Sequence, residues 1–321
     1  MKIQKITGKV FLFTIREVYP YTKRRGYPLD HSEFRYSLMA LLGAILWGTI
    51  GTAQHFAPAG ASPLSVGAVR LAVGGVAIML YAFLRGKLKG REMLSKVGTY
   101  IGAASMASAQ ITFFVAVKMT GVAMGTVVAI GSAPIFAGLI STIINKEIPG
   151  IKWMVSTMVS VIGCILLVIG GEALTFEMNG IILALGSGFF YAVYTAATKN
   201  LLVKYSPEIV TGVIFTIGAL LLSPFLLIYS LDWLKTPQGI GVALHLGLAT
   251  SALAYIIFSY GLSGIKLHKA ATLNLAEPVT AALLGVFFLK ESLSPLSGVG
   301  MGLVFAGLVI LSISRPVKKI A

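Results

Sequence analysis

Long apolar blocks separated by short polar ones dominate the chain from residue 37 onwards. A helix needs roughly 20 mostly apolar residues to cross a bilayer, and helices satisfy every backbone group in lipid without closing into a barrel. The pattern predicts ten spanning helices, at 37–57, 65–85, 97–117, 121–144, 151–171, 180–200, 208–230, 238–261, 268–289 and 296–314. The class indicated is an all-α integral membrane protein.

The composition agrees with this class. Hydrophobic residues make up 56% of the chain and charged residues only 12%, about half the charge of an average soluble domain. The single cysteine, Cys164, excludes an intramolecular disulfide, and its apolar surroundings predict a small buried residue. The chain contains no metal-binding or cofactor-binding motif, so we expect neither a metal site nor a cofactor.

The basic residues orient the spans. With the N-terminus placed inside, all but four of the 26 Lys and Arg residues fall on the inner side. The exceptions are Lys118, Lys235 and Lys290 in outer loops and Arg70 within a span. This bias predicts a multi-pass cell-membrane protein with both termini cytoplasmic. Anionic lipid on that leaflet also accounts for the net charge of +15, so a nucleic-acid partner is not needed.

The segments outside the spans are short. Residues 1–36 form a basic N-terminal segment without a signal-peptide pattern. This segment could lie on the membrane as an amphipathic helix, form a disordered leader, or reflect a start codon placed too far upstream. Residues 315–321 form a cytoplasmic tail.

The two halves of the chain repeat each other. Residues 132–147 align with 276–291 at an offset of 144, which pairs Pro134 with Pro278. The same offset also pairs identical residues elsewhere: Phe114 with Phe258, Gly74 with Gly218, Lys146 with Lys290, Glu147 with Glu291 and Gly163 with Gly307. The first and sixth spans match at an offset of 143. The repeats are therefore 37–171 and 180–314.

An odd number of spans in each repeat inverts the second copy relative to the first, so Glu147 is expected inside and Glu291 outside. Such inverted repeats surround a central site near the midplane of many secondary transporters, and paired interrupted helices mark that site. The helix-breaking residues here are Pro134 and Pro278, which are expected to free the carbonyls of Ile130 and Asn274. The predicted fold is ten transmembrane helices as two inverted five-helix repeats around a central cavity.

Three segments resemble the EamA-type transporters of the drug/metabolite transporter superfamily: "WGTIGT" (47–52), "LSVGAVRLAVGG" (64–75) and residues 276–311. The resemblance covers about 37–314, and its most specific part is Glu277-Pro278 followed by Lys290-Glu291. The first repeat departs from it, since Ala133 stands where the second repeat has Glu277. The resemblance implies export of amino acids or other small metabolites.

Glu277 lies near the middle of its span, where a carboxylate costs about 2.5 kcal/mol or more. It should contact a substrate amine, carry a proton, or bind a backbone group freed by the proline. Arg70 either snorkels to the outer interface or pairs with a carboxylate in the cavity. Trp47, in mid-span, is a core residue or part of the cavity wall.

Further polar and aromatic groups lie within the spans. Tyr191, Tyr194 and Thr195 share one face of the sixth span, as Ser251 and Tyr255 do on the eighth. Gln54, Gln110, His245 and Asn274 would form helix–helix hydrogen bonds or together line a pocket for a small zwitterion. The candidate substrate-binding residues are Trp47, Gln54, Arg70, Gln110, Tyr191, Tyr194, Thr195, Tyr255, Asn274 and Glu277.

The function predicted is a secondary transporter for amino acids or related metabolites that works by alternating access. Proton antiport and facilitated diffusion remain equally open as driving mechanisms. The alternatives are a membrane-embedded enzyme, a non-transporting scaffold or receptor, and a channel. The expected partners are a small solute and the lipid bilayer. Small-residue segments at 98–102 and 298–302 could serve the bundle or a dimer, which leaves monomer and homodimer open.

Overall fold

A computed structural model describes residues 31–88, 90–144, 146–170, 177–290 and 294–312. The predictions made for residues 1–30, for Glu291 and for the C-terminal tail lie outside these residues. The α-helices are His31–Trp47, Thr49–His55, Pro63–Leu84, Val97–Thr120, Val122–Ile143, Ile151–Ile169, Met178–Leu201, Pro207–Ile228, Pro237–Leu244, Ala254–Gly264, Leu267–Leu273, Ala276–Phe288 and Pro295–Ser312. A π-helical stretch covers His245–Leu253, and short 3₁₀ helices cover Arg91–Ser95 and Asp232–Lys235.

Within the described ranges these helices form ten spans that are long and apolar enough to cross a membrane, in agreement with the prediction. In chain order, spans 1 to 10 are Glu33–His55, Pro63–Leu84, Val97–Thr120, Met124–Ile143, Ile151–Ile169, Met178–Leu201, Pro207–Ile228, Pro237–Gly264, Leu267–Phe288 and Pro295–Ser312. Spans 2, 7, 8 and 10 each begin at a proline, whose fixed φ suits the first helical position and whose missing N–H costs no bond there.

The packing of the spans repeats the pattern found in the sequence. Spans 2 and 7, 4 and 9, and 5 and 10 are repeat mates, and each pair is in contact. Span 1 packs on span 8, and span 6 packs on span 3 in the equivalent way. Since five spans make up each half, this arrangement is the inverted two-fold relation predicted for the repeats.

The repeat extends to single backbone positions. A Cβ on Gly163 would lie 2.6 Å from the carbonyl oxygen of Gly300, and one on Gly307 would lie 2.7 Å from that of Ser156, the repeat mate of Gly300. Spans 5 and 10 therefore approach each other through equivalent glycines, and at Gly300 the segment 298–302 serves the bundle. Among the described residues other than glycine, two have a positive φ: Lys146 (φ 51°) and Lys290 (φ 57°). These two lysines are repeat mates.

The two prolines of the repeat act differently. Pro134 lies inside the continuous helix Val122–Ile143, whereas Pro278 lies in the first turn of a new helix after a break at Asn274 and Leu275. The expectation of a free Asn274 carbonyl is wrong, because the backbone N–H of Glu277 donates to it at 2.9 Å. Span 1 is also interrupted, at Gly48.

A buried core holds the middle of the bundle together. Tyr194, Phe215 and Phe258 are fully buried, and Trp47 and Tyr255 pack with them. These side chains come from spans 1, 6, 7 and 8, so both repeats contribute. The candidate site lies beside this core.

Candidate functional site

A cavity of about 100 Å³ lies between the repeats, next to the aromatic core. One ordered water needs roughly 10–15 Å³ measured in this way, so the cavity has room for several waters or one small solute. The residues that line it come from spans 1, 2, 3, 4, 6, 8 and 9. They are Trp47, Ile50, Arg70, Met106, Ala109, Gln110, Phe113, Ala129, Ile130, Ala133, Ser187, Gly188, Tyr191, Tyr255, Asn274 and Glu277.

The break in span 9 presents Glu277 to this cavity. The residue lies in the first turn of the helix Ala276–Phe288, where the partial positive charge of the helix N-terminus favours a carboxylate. Its side chain is partly exposed to the cavity and accepts no hydrogen bond from the described residues. A carboxylate held without a protein partner remains available to a solute or a proton.

Arg70 supplies the opposite charge. The side chain is only 4% exposed, and its Nε donates to Ser251 Oγ at 3.1 Å. It forms an ion pair with none of the described carboxylates, although it lies close enough to Glu277 for mutual attraction. The snorkelling alternative for Arg70 is therefore wrong, since the guanidinium is buried at the cavity.

Asn274 fixes a polar group at the end of the first half of span 9. Its Nδ2 donates to Tyr191 Oη at 3.0 Å, which ties span 9 to span 6. Its Oδ1 is buried without a hydrogen-bond partner among the described residues. An unpaired buried acceptor costs about 1–3 kcal/mol, and a donor on a bound solute would remove that cost.

Aromatic rings form one wall of the cavity. The ring centroids of Trp47 and Tyr255 are 4.5 Å apart, and those of Trp47 and Tyr191 are 6.2 Å apart. Trp47 Nε1 donates to the carbonyl of Thr250 at 2.9 Å. At these distances the rings contact each other and leave no slot for a cation between them. They make a rigid, mostly apolar surface, so Trp47 is both a core residue and part of the wall.

The cavity lining includes Trp47, Arg70, Gln110, Tyr191, Tyr255, Asn274 and Glu277 from the predicted set. Gln54, Tyr194 and Thr195 lie elsewhere. Tyr194 is fully buried in the core, and the Thr195 hydroxyl donates to its own helix at the Tyr191 carbonyl. Gln54 lies beyond the interruption at Gly48, and His245 contacts Thr49 at 2.9 Å, outside the lining.

Several wall residues were not predicted. Ile130 and Ala133 on span 4 line the cavity with Met106 and Phe113 of span 3. Ile130 and Ala133 are the repeat mates of Asn274 and Glu277 at the offset of 144, so the repeat itself contained the signal for them. The cavity is therefore polar along span 9 and apolar along span 4. No group of three or more His, Cys, Asp and Glu residues in the described part of the chain could hold a metal ion.

Comparison with known proteins agrees with this architecture. The EamA-like transporter family matches the chain twice, over residues 34–169 and 178–313. The chain is 41% identical over 286 residues to the uncharacterized transporter YwfM of Bacillus subtilis (strain 168), covering 89% of this chain and 96% of that protein. It is 25% identical over 272 residues to the threonine/homoserine exporter RhtA of Escherichia coli (strain K12), covering 82% and 86%. A solved crystal structure with 18% identity shares the fold, with a TM-score of 0.75 over 86% of this chain and 95% of that one.

Proposed function

The chain belongs to the EamA-like transporter family, which each of its halves matches, and we propose that it exports amino acids or related small metabolites across the cell membrane. The observation that carries this proposal is the presence of both signs of charge, Arg70 and Glu277, on the wall of one small cavity between the repeats. An amino acid carries the complementary pair of charges. In the proposed complex Arg70 binds the carboxylate and Glu277 binds the ammonium group.

The remaining wall supports a solute of modest size. Asn274 Oδ1 lacks a partner, so a second N–H or O–H of the solute can bind there. Ile130, Ala133, Met106 and Phe113 would contact its aliphatic part. A volume of about 100 Å³ favours a short side chain over an aromatic one. Threonine and homoserine, named for the similar exporter RhtA, have this size and are the first solutes to test.

Unequal burial of repeat mates supports transport by alternating access. Thr195 and Ala196 in span 6 are 0% and 2% exposed, while their mates Thr52 and Ala53 in span 1 are half-buried. Ala137 in span 4 is fully buried, and its mate Ala281 in span 9 is half-buried. One membrane side of the bundle is therefore packed more tightly than the other. With both termini in the cytoplasm, the tight side faces the cytoplasm and the loose side faces outwards.

The test is solute flux into proteoliposomes that contain the purified protein. Wild-type protein should move labelled threonine or homoserine, and Arg70→Gln should lower the initial rate at least ten-fold because it removes a buried charge from the site. Lys118→Gln removes an exposed charge at the end of span 3 and serves as the matched control, with an unchanged rate expected.

Retained flux in correctly folded Arg70→Gln protein would contradict the proposed role of Arg70. Absence of flux for every amino acid tried, with folded wild-type protein, would contradict the solute class. Metabolite profiling of the medium of overproducing cells against a knockout would then identify the exported class without assuming it.

A further inference from the structure

A second cavity, remote from the central one, lies between two loops at the same membrane side. One loop follows span 2 and the other joins spans 6 and 7. The cavity has a volume of about 370 Å³ and is lined by Arg85, Gly86, Lys87, Lys204, Tyr205 and Ser206. We call these six residues the basic cleft.

The cleft concentrates positive charge. Arg85 and Lys87 form no ion pair with the described residues, whereas Lys204 pairs with Glu92 at 2.8 Å. The other nearby carboxylate, Glu208, is 1% exposed and accepts a hydrogen bond from Tyr260 at 2.5 Å. Glu208 also attracts Lys87, so three cations face two carboxylates and the cleft keeps an excess of positive charge.

Local backbone structure sets where the exposed side chains of Arg85 and Lys87 leave the chain. The helix of span 2 ends with Gly86 in the left-handed region (φ 63°), and the N–H of Lys87 donates to the carbonyl of Ala82 at 2.8 Å. This is the Schellman arrangement, which favours glycine at this position. Because the turn is closed by its own hydrogen bonds, Arg85 and Lys87 are held on either side of it.

Two hydroxyls border the cleft. Tyr205 Oη and Ser206 Oγ are buried, beside Lys204 and Glu208 respectively. Ser206 directly precedes the 22-residue helix Pro207–Ile228 and does not cap it with its side chain. Hydroxyls, a helix N-terminus and cations together are the groups that bind phosphate oxygens.

The repeat provides an internal comparison. The mates of Arg85, Gly86 and Lys87 are Tyr229, Ser230 and Leu231, and the mates of Lys204, Tyr205 and Ser206 are Gly60, Ala61 and Ser62. These equivalent positions, on the opposite membrane side, carry no positive charge. The fold itself therefore does not require the cations of the cleft.

Apolar side chains adjoin the cleft on the bilayer side. Phe83 and Leu84, the last two residues of span 2, are 63% and 72% exposed, and Val203 is 66% exposed. These side chains suit acyl chains, while the cations above them suit a phosphate group at the membrane surface. We propose that the basic cleft binds the phosphate of an anionic phospholipid in the leaflet on its side, the cytoplasmic leaflet in the proposed orientation.

This proposal is independent of the transported solute and is tested without a flux assay. The purified protein in neutral detergent is titrated with phosphatidylglycerol or phosphatidylcholine, and native mass spectrometry counts the lipids bound. Wild-type protein should retain phosphatidylglycerol in preference to phosphatidylcholine. The double variant Arg85→Gln, Lys87→Gln should bind it roughly ten-fold more weakly or worse, given the effect of each basic residue on anionic lipid.

Two control variants make the result specific. Lys118→Gln, Lys235→Gln removes the same charge from the opposite side and should bind phosphatidylglycerol as wild type does. Arg85→Lys, Lys87→Arg keeps both charges and should restore most of the binding. Thermal unfolding of the neutral variant, compared with that of wild type, shows whether a loss of binding reflects misfolding.

The proposal is overturned if the outer-side variant loses as much lipid as the cleft variant, or if the cleft variant binds normally. Inorganic phosphate provides the second arm. If wild-type protein binds phosphate at millimolar concentration but shows no preference for phosphatidylglycerol, the cleft binds free phosphate rather than a lipid headgroup, and the proposed ligand is wrong.

Discussion

At the scale of the residue, spans 4 and 9 are repeat mates that give the cavity walls of different polarity. Glu277 and Asn274 line it from span 9, while their mates Ala133 and Ile130 line it from span 4. A solute with separated charges therefore has one favourable orientation. The sequence identified Glu277, Arg70 and Asn274 because charge and amide groups within a span are costly. The sequence could not exclude Tyr194 and Thr195 from the site. Helical spacing predicts which residues share a face of the helix, but not which part of that face borders the cavity.

The role of Glu277 is the residue-scale prediction. In proteoliposomes, Glu277→Gln should lower the initial rate of threonine export at least ten-fold, because the amide lacks the charge proposed to bind the ammonium group. If the carboxylate also carries a proton during transport, whatever flux is left should lose its pH dependence. Glu277→Asp keeps the charge and should retain a larger part of the rate. Wild-type flux in Glu277→Gln protein across the whole pH range would exclude both roles.

At the scale of the element, hydropathy predicted ten spans because each needs only a long apolar window, and their bounds agree within a few residues. It predicted neither the interruption of span 1 at Gly48 nor the π-helical stretch His245–Leu253. Such features lie where side chains of other spans make contact; Arg70 of span 2, for example, donates a hydrogen bond to Ser251 within the π-helical stretch. In span 9 the break lies in the turn before Pro278, but the sequence did not predict that Glu277 N–H would bond to the Asn274 carbonyl.

The contact between spans 5 and 10 gives the element-scale prediction. A Cβ added at Gly163 would lie 2.7 Å from the backbone nitrogen of Val304, so Gly163→Ala should lower the free energy of unfolding by about 1–3 kcal/mol. Gly186 in span 6 has no atom within 4 Å of an added Cβ. Gly186→Ala should be neutral or stabilising by up to ~1 kcal/mol, since alanine is the better helix former.

Thermal or denaturant unfolding of both variants in detergent measures this difference. If the two variants are equally stable, the close approach of spans 5 and 10 at Gly163 does not contribute to stability, and the prediction is wrong.

At the scale of the whole molecule, the two halves share one architecture, but equivalent positions differ in burial between the two ends of the bundle. Thr52 and Thr195 are repeat mates of identical type, one half-buried and the other fully buried. This pair reports which membrane side of the bundle is open. The sequence predicted the inverted repeat from the constant offset, but it could not predict this unequal burial, since the same residues would pack in either state of the proposed alternating-access cycle.

Cysteine labelling tests the open side. In a chain with Cys164→Ser, a membrane-impermeant thiol reagent added outside cells should modify Thr52→Cys and leave Thr195→Cys unmodified. Both variants carry the same substitution in equivalent positions, so each is the control for the other. Labelling of Thr195→Cys from outside would reverse the proposed orientation, and equal labelling of both would contradict the sealed inner side.

The paired left-handed residues Lys146 and Lys290 bear on the history of the chain. The EamA-like match in each half indicates that one ancestral five-span unit was duplicated. A backbone conformation that costs a lysine about 1 kcal/mol or more relative to glycine is present in both copies, although most side chains around it have diverged. One copy lies at each face of the membrane. The constraint that preserved this turn is therefore local to the end of its helix and does not depend on which compartment the turn faces.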